Sequence, residues 1–232
     1  MEKYPHPIHA VVFDNDGTIL DTLPIYYEVL TRFVPPPYPE SLIHRVNGVS
    51  DFDACKIFIE VLDIKMTPEE LFEKRKILLN ELLPQAKIIS GVDEVINKIH
   101  DMKIPMIVAT GSLRSIHEMK VSGHPEIFSL IKDTVCGDDV EVAKPSPDIF
   151  LKALEKFNFD PNLNIRPENI LVIEDAINGI VAAQAAGMPS VFVNEQDETF
   201  DEKFKEKNVA PTARIKSFKN FPFDMFTWKV MP

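Results

Sequence analysis

Side chains that can perform chemistry follow several short apolar segments of the chain, at the points where strands are expected to end. They lie in Asp14-Asn15-Asp16-Gly17-Thr18, Thr110-Gly111-Ser112 and Glu174-Asp175, with Lys144-Pro145 between the last two. Several carboxylates at one place are electrostatically unfavourable unless a cation compensates them. An all-oxygen set of ligands favours Mg²⁺ over Zn²⁺. The pattern therefore predicts a magnesium site.

The spacing of the acids predicts phosphoryl transfer. Asp14 and Asp16 are two residues apart, so in extended backbone both carboxyls project to the same side. One carboxylate can attack phosphorus, while the other protonates the leaving oxygen and later takes a proton from water. Thr110 and Lys144 would hydrogen-bond to the phosphoryl oxygens and neutralise them. Each segment alone is typical of a surface turn or a helix start, and only their joint order favours a site.

The elements that position these residues are five runs of aliphatic and β-branched residues, which are typical of buried parallel strands. They are residues 10–13, 106–109, 133–136, 170–173 and 190–193. Segments with helical periodicity alternate with the later runs, and this order predicts an α/β fold with a Rossmann-like open parallel sheet. The carboxyl ends of such strands share one edge, which is where ligands bind.

About 90 residues separate the first two strands, far more than a usual connection, so this interval should contain structure of its own. It has helical character, and Thr67-Pro68-Glu69-Glu70 has the pattern of a capping box with proline at the first helical position. The sequence therefore predicts an all-helical cap at residues 21–87, inserted into a core of residues 1–20 and 88–232. An insert at the ligand-binding edge is expected to act as a lid.

The composition disfavours several classes of function. A formal net charge of −11 argues against binding to nucleic acid or to a membrane surface, because both need clustered Lys and Arg. No apolar run approaches the roughly 20 residues of a membrane span, and the N-terminus lacks the apolar region of a signal peptide. Two distant cysteines indicate a reducing compartment, so the expected location is the cytoplasm. The sequence does not specify an oligomeric state, and a monomer is the expectation.

Taken together, these residues resemble the motifs of the haloacid dehalogenase-like hydrolase superfamily, in its helical-cap subclass. The matching residues are Asp14-x-Asp16-Gly17-Thr18, Thr110, Lys144-Pro145, Glu174-Asp175, Gly179 and Ala185-Ala186-Gly187. Two further segments, Gly137-Asp138-Asp139 and Ser146-Pro147-Asp148-Ile149-Phe150, look most like the pseudouridine-5′-phosphatase and glycerol-3-phosphatase branch. The resemblance extends to about residue 194 and implies a phosphatase that acts on a small phosphorylated metabolite.

The resemblance also implies a role for each matching residue. Asp14 would be the nucleophile that forms an aspartyl-phosphate, and Asp16 would be the general acid and base. Mg²⁺ would be bound by the Asp14 side chain, the Asp16 backbone carbonyl and Asp175, with Glu174 close by or ligating through water. Ala176 departs from the serine that is frequent after the acid pair, and this departure removes no reacting group.

The substrate is the least defined feature of the sequence. Thr110, Gly111, Ser112 and Lys144 are expected to bind the substrate, with Thr110 and Lys144 at its phosphoryl oxygens and Ser112 near its leaving group. Asn47 and Gly48, in the turn Asn47-Gly48-Val49-Ser50, are expected to point at the rest of it from the cap, and Arg114 is a further candidate. Pseudouridine 5′-phosphate, glycerol phosphate and sugar phosphates all stay open.

A phosphohexomutase of the β-phosphoglucomutase type is the main alternative, since it shares the core and the cap. That family has a histidine shortly after the aspartates and an arginine in the cap, where this sequence has Tyr26 and Asp51. A phospho-receiver or another non-catalytic binding module is the second alternative. Receivers, however, have no long insert and carry their phosphorylated aspartate after a later strand.

Overall fold

The computed structural model describes residues 3–46, 51–159, 164–194 and 200–230. The strands are β1 (Pro7–Ile8), β2 (Ala10–Phe13), β3 (Leu20–Asp21), β4 (Lys87–Ile88), β5 (Met106–Ala109), β6 (Asp133–Val135), β7 (Ile170–Glu174), β8 (Ser190–Val193), β9 (Ala213–Ile215) and β10 (Thr227–Trp228). The helices are α1 (Leu23–Thr31), α2 (Glu40–Val46), α3 (Asp51–Leu62), α4 (Pro68–Leu82), α5 (Val92–Asp101), α6 (Arg114–Val121), α7 (Pro125–Phe128), α8 (Asp148–Phe157), α9 (Ile177–Ala185) and α10 (Asp201–Lys207).

Six strands form one sheet in the order β6-β5-β2-β7-β8-β9. Every neighbouring pair is parallel, which confirms the predicted α/β fold. The five predicted runs form β2, β5, β6, β7 and β8, although β6 ends at Val135 rather than at Cys136. All residues of β2 and β7 are buried, as expected for central strands that are covered on both faces.

Helices pack against the sheet through alternate side chains of its strands. One buried cluster combines Ala10 and Val12 of β2 with Phe150 of α8 and Ala183 of α9. The helix α9 ends before Gly187, whose φ of 73° lies in the left-handed region that suits a helix terminus. These contacts hold α8 and α9 against the sheet.

The chain divides into two compact units, one of Met1–Asp21 with Lys87–Pro232 and one of Thr22–Ala86. The second unit contains α1 to α4 and has an apolar core of its own, which includes Cys55 and Leu71. Thr67 begins α4 as predicted, because its hydroxyl accepts from Glu70 N–H at 3.2 Å and Glu70 Oε2 accepts from Thr67 N–H at 2.9 Å. This reciprocal pair satisfies two donors at the helix start.

Two short ribbons complete the first unit. The antiparallel pair β3 and β4 lies where the chain leaves this unit and returns to it. The parallel pair β1 and β10 joins segments from opposite ends of the sequence, and Lys229 N–H extends it by donating to Ile8 O at 3.0 Å. The segment after residue 195, which lies beyond the motifs that the sequence shares with the hydrolase superfamily, therefore supplies β9 and β10 to this unit.

Cys55 and Cys136 are both buried, and neither forms a disulfide. Across the described ranges, no helix combines the length and the apolar character needed to cross a membrane.

Candidate active site

Three neighbouring strands carry predicted site residues at their carboxyl ends. Asp14 follows β2, Thr110 follows β5, and Glu174 is the last residue of β7. Backbone pairing continues past the strand ends, because Asp14 N–H donates to Ile173 O at 2.9 Å and Thr110 N–H donates to Val135 O at 3.0 Å. Since β5, β2 and β7 are adjacent in the sheet, these residues share one edge.

A tight turn follows β2 and leaves room for Asp175, the acid that directly follows β7. Ile19 N–H and Leu20 N–H both donate to the Asn15 carbonyl at 2.9 Å. Gly17 has a φ of 84°, in the left-handed region that glycine adopts readily. A Cβ at this position would lie 2.2 Å from Asp175 Oδ2. Glycine is therefore required here both by the turn and by the space that Asp175 occupies.

Lys144 binds two carboxylates at this edge. Its Nζ donates to Asp14 Oδ1 at 2.7 Å, to Glu174 Oε1 at 2.8 Å and to Ala109 O at 3.1 Å. The other carboxylate oxygen of Glu174, Oε2, accepts from Ala176 N–H at 2.7 Å. The ammonium thus uses all three of its N–H donors, and each carboxylate oxygen of Glu174 accepts one hydrogen bond. Only 12% of the Lys144 side chain is exposed, so these charge pairs are weakly screened.

Negative charge at this edge exceeds what Lys144 neutralises. Burial raises the pKa of Asp14 to about 7; the Lys144 ammonium opposes this rise, whereas the carboxylates of Glu174 and Asp16 add to it. Burial and the charges of Glu174 and Asp14 also raise the pKa of Asp175 well above its ordinary value. Burial acts to lower the pKa of Lys144, but attraction to Asp14 and Glu174 outweighs it and raises that pKa. A further cation would stabilise the ionised carboxylates.

Three carboxyl groups are placed to hold such a cation. Asp14, Glu174 and Asp175 each offer one oxygen, and these oxygens lie within 4.8 Å of one another. Thr18 Oγ1 donates to Asp175 Oδ1 at 3.1 Å, which restrains the orientation of that carboxyl. A set of oxygen donors suits a hard divalent cation such as Mg²⁺ better than a metal that prefers nitrogen or sulfur. The side chains present therefore fit a magnesium ion.

Asp16 contacts a second group of polar side chains. Its Oδ2 accepts from Thr110 Oγ1 at 3.2 Å and from Ser112 Oγ at 3.1 Å. Its Oδ1 lies 2.6 Å from Lys120 Nζ, which also donates to Ser112 Oγ at 2.7 Å. Lys120 was not among the residues predicted from the sequence. No local sequence pattern marks it, because the burial of its side chain beside that of His117 on α6 is seen only in the structure.

The other predicted substrate residues have different surroundings. Gly111 has open space at the position of a Cβ. Arg114 is paired with an acid, since its Nη2 lies 2.5 Å from Asp139 Oδ2. Asn47 and Gly48, in the predicted cap turn, lie outside the described residues.

A family model described as haloacid dehalogenase-like hydrolase matches residues 11–193. The chain belongs to the haloacid dehalogenase-like hydrolase family. The match starts within β2 and ends with β8, so this hydrolase region includes every strand that carries a predicted site residue. The small strands β1 and β10 and the edge strand β9 lie outside it.

Named relatives of this hydrolase are phosphatases. It is 36% identical over 194 residues to (DL)-glycerol-3-phosphatase 2 of Arabidopsis thaliana, covering 80% of this chain and 79% of the relative. It is 35% identical over 222 residues to a Drosophila melanogaster protein named probable pseudouridine-5′-phosphatase. The match covers 93% of this chain and 92% of that relative. A solved structure of β-phosphoglucomutase from Clostridium difficile has the same fold, with a TM-score of 0.70, 21% identity and 94% of each chain covered. This hydrolase is accordingly a phosphatase of the family.

Proposed function

We propose that this phosphatase is a Mg²⁺-dependent phosphomonoester hydrolase that acts on a small phosphorylated metabolite through an aspartyl-phosphate intermediate. The observation that carries the proposal is the 2.7 Å contact between Lys144 Nζ and Asp14 Oδ1 at the carboxyl edge of the sheet. It holds a carboxylate beside a cation at the position where ligands bind in an open α/β sheet. Asp16 follows two residues later and supplies a second carboxyl.

Each reacting group has a defined task in the proposed mechanism. An Asp14 carboxylate oxygen attacks phosphorus, and the bond from phosphorus to the leaving oxygen breaks. Asp16 donates a proton to the leaving oxygen and then accepts one from the water that hydrolyses the aspartyl-phosphate. The Lys144 ammonium and the Thr110 hydroxyl stabilise the phosphoryl oxygens while charge shifts between them.

We propose that Asp14, Asp175 and the backbone carbonyl of Asp16 hold the Mg²⁺ ion. Glu174 would lie close to the ion or ligate it through water, while its two oxygens accept hydrogen bonds from Lys144 and Ala176. Glu174 then serves to orient Lys144 and the start of α9. When bound, Mg²⁺ supplies positive charge that stabilises ionised Asp14 and the phosphoryl oxygens.

The names of two relatives support the substrate class. They are a glycerol-3-phosphatase and a pseudouridine-5′-phosphatase by name. We infer that the substrate is a nucleotide such as pseudouridine 5′-phosphate, glycerol phosphate or a sugar phosphate. Its phosphoryl end would bind near Thr110, Gly111, Ser112 and Lys144. Asn47 and Gly48 stay candidates for contacts with the remainder of the substrate.

The test measures phosphate released from p-nitrophenyl phosphate and from a panel of phosphorylated metabolites, with Mg²⁺ or with EDTA. We expect turnover only with Mg²⁺, and kcat/KM ranks the substrates. Asp14→Asn removes the nucleophile with little change in volume and should lower kcat roughly a thousandfold or more. Asp101→Asn, at an exposed position of α5, is the matched control and should retain full activity. Unchanged turnover by Asp14→Asn, or no phosphate release from any ester, would refute the proposal.

A phosphohexomutase is the alternative, and the fold shared with the Clostridium difficile enzyme is what supports it. Tyr26 and Asp51 disfavour it, because they stand where mutases of that type have a histidine and an arginine. Product analysis with glucose 1-phosphate separates the two reactions. A phosphatase releases inorganic phosphate, whereas a mutase forms an isomeric sugar phosphate.

A further inference from the structure

A buried lysine that the proposed mechanism does not use lies next to the proposed acid and base. The Lys120 side chain is 1% exposed, and its Nζ lies 2.6 Å from Asp16 Oδ1. An ammonium is costly to remove from water unless an opposite charge and hydrogen bonds compensate it. Ser112 Oγ, at 2.7 Å, provides a further acceptor. This pair therefore differs from exposed ion pairs, which contribute little and are readily broken by solvent.

The contacts of Asp16 restrict how its carboxyl can turn. Lys120 Nζ donates to Oδ1, while the Thr110 and Ser112 hydroxyls approach Oδ2 at 3.2 Å and 3.1 Å. An ammonium can donate but cannot accept, so a proton carried by Asp16 cannot point from Oδ1 at Lys120. Hydroxyl groups can do both. The transferable proton is therefore expected on Oδ2.

We propose that Lys120 is a positioning residue that holds the Asp16 carboxyl by Oδ1, so that Oδ2 passes its proton to the leaving oxygen. This inference rests on the proposed phosphatase mechanism. As the bond from phosphorus to the leaving oxygen breaks and the bond to Asp14 forms, the proton on Asp16 Oδ2 moves to that leaving oxygen. Lys120 keeps its own protons throughout. The two ammonium groups thus divide the work, with Lys144 on the nucleophile and Lys120 on the proton carrier.

Proton donation matters most when the leaving group is a strong base. A series of substituted phenyl phosphates, from phenyl phosphate to p-nitrophenyl phosphate, varies this property while the phosphoryl group stays the same. The quantity to measure is kcat/KM. It reports the steps up to phosphoryl transfer to Asp14, and these steps precede the attack of water on the intermediate. Damage to the fold would lower kcat/KM for all esters alike.

Lys120→Met should act selectively along this series. We expect kcat/KM to fall roughly 10- to 100-fold for phenyl phosphate and less than about threefold for p-nitrophenyl phosphate, within the range of general acid catalysis. Lys120→Arg keeps a cation at this position and should restore most of the wild-type dependence on the leaving group. Lys152→Met, which removes an exposed lysine of α8, is the control and should change neither value.

Two further variants test whether Lys120 acts through Asp16. In an Asp16→Asn background, adding Lys120→Met should change kcat/KM less than about twofold, since the proton route is already absent. Ser112→Ala removes the hydroxyl that contacts both Lys120 Nζ and Asp16 Oδ2. It should cause a smaller loss that is again selective for phenyl phosphate. Because Ser112 is partly exposed, this variant carries the test if Lys120→Met does not fold.

The outcomes separate this inference from the proposed function. If the wild type cleaves the series with Mg²⁺ but Lys120→Met and Ser112→Ala lower kcat/KM equally for every ester, the positioning role is wrong and the phosphatase mechanism stands. Additive losses from Lys120→Met and Asp16→Asn would also overturn the role. If the wild type cleaves none of the esters, both proposals fail.

Discussion

Gly179→Ala is expected to disrupt the site without touching any proposed reacting group. A Cβ at this position of α9 would lie 1.7 Å from Glu174 Oε1, so the carboxylate must move. Its displacement breaks the hydrogen bonds from Lys144 Nζ at 2.8 Å and from Ala176 N–H at 2.7 Å. Hydrogen bonds to charged groups contribute about 1.5 to 3 kcal/mol each. Alanine recovers only about 1 kcal/mol through its higher helix propensity.

The net loss in the free energy of unfolding should be about 2 to 5 kcal/mol. For a chain of this size, that loss lowers the melting temperature by roughly 4 to 20 °C. Thermal unfolding followed by circular dichroism, in EDTA, measures it. Gly111→Ala is the matched control for stability, because open space surrounds its Cβ position and its φ lies outside the left-handed region. It should change the free energy of unfolding by less than about 1 kcal/mol.

A double-mutant cycle checks the cause of the Gly179→Ala effect. Glu174→Ala removes the side chain that the new Cβ would strike, so adding Gly179→Ala to it should cost almost nothing. A Gly179→Ala variant as stable as the wild type would show that the new Cβ does not displace Glu174. The same loss of stability in the Glu174→Ala background would show that the effect has another cause.

Three further predictions concern the metal, a buried histidine and a helix cap. Mg²⁺ at a hundred times its Kd should raise stability by about 2.7 kcal/mol in thermal unfolding; Asp175→Asn should abolish this gain and Asp101→Asn should preserve it. Burial lowers the pKa of His117 to about 4, so the unfolded chain takes up this proton first as pH falls. Stability should be complete above about pH 6.5 and decline towards pH 4 by up to about 3 kcal/mol, and urea titrations of His117→Gln should lack this decline. Thr67→Ala should destabilise α4 by about 1 kcal/mol, measured as faster amide hydrogen exchange in that helix, and unchanged exchange would contradict the capping geometry.

The central strands were predictable because their environment leaves a direct mark on the sequence. A parallel strand that is buried on both faces is an uninterrupted apolar run, as β2 and β7 are. The edge strand β9 has only one neighbour and is three residues long. Its central residue is Arg214, which pairs with Asp201 at 2.6 Å. Such a segment lacks the apolar signal, and its pairing with β8 decides its structure.

The side chains at the carboxyl edge were predictable in a different way. Their order after successive strands, together with parallel topology, brings Asp14, Thr110 and Glu174 to one edge. The sequence contained Gly179 as part of a motif, and the structure supplies its reason in the space that Glu174 occupies. Lys120 was missed because lysine is rarely buried. Its position depends on the packing of α6 and on the location of Asp16, neither of which a local pattern contains.

The pairing of β1 with β10 bears on how the chain folds during synthesis. Pro7 and Ile8 are made among the first residues, but their partners Thr227 and Trp228 emerge from the ribosome more than two hundred residues later. The central strand β2 is also made early and gains its neighbours only with β5 and β7. Contacts so distant in sequence form slowly, because long loops must close first. The Thr22–Ala86 unit, by contrast, is continuous in sequence. It is therefore expected to fold on the nascent chain while β2 still has two unpaired edges, a state in which chaperone binding would be most useful.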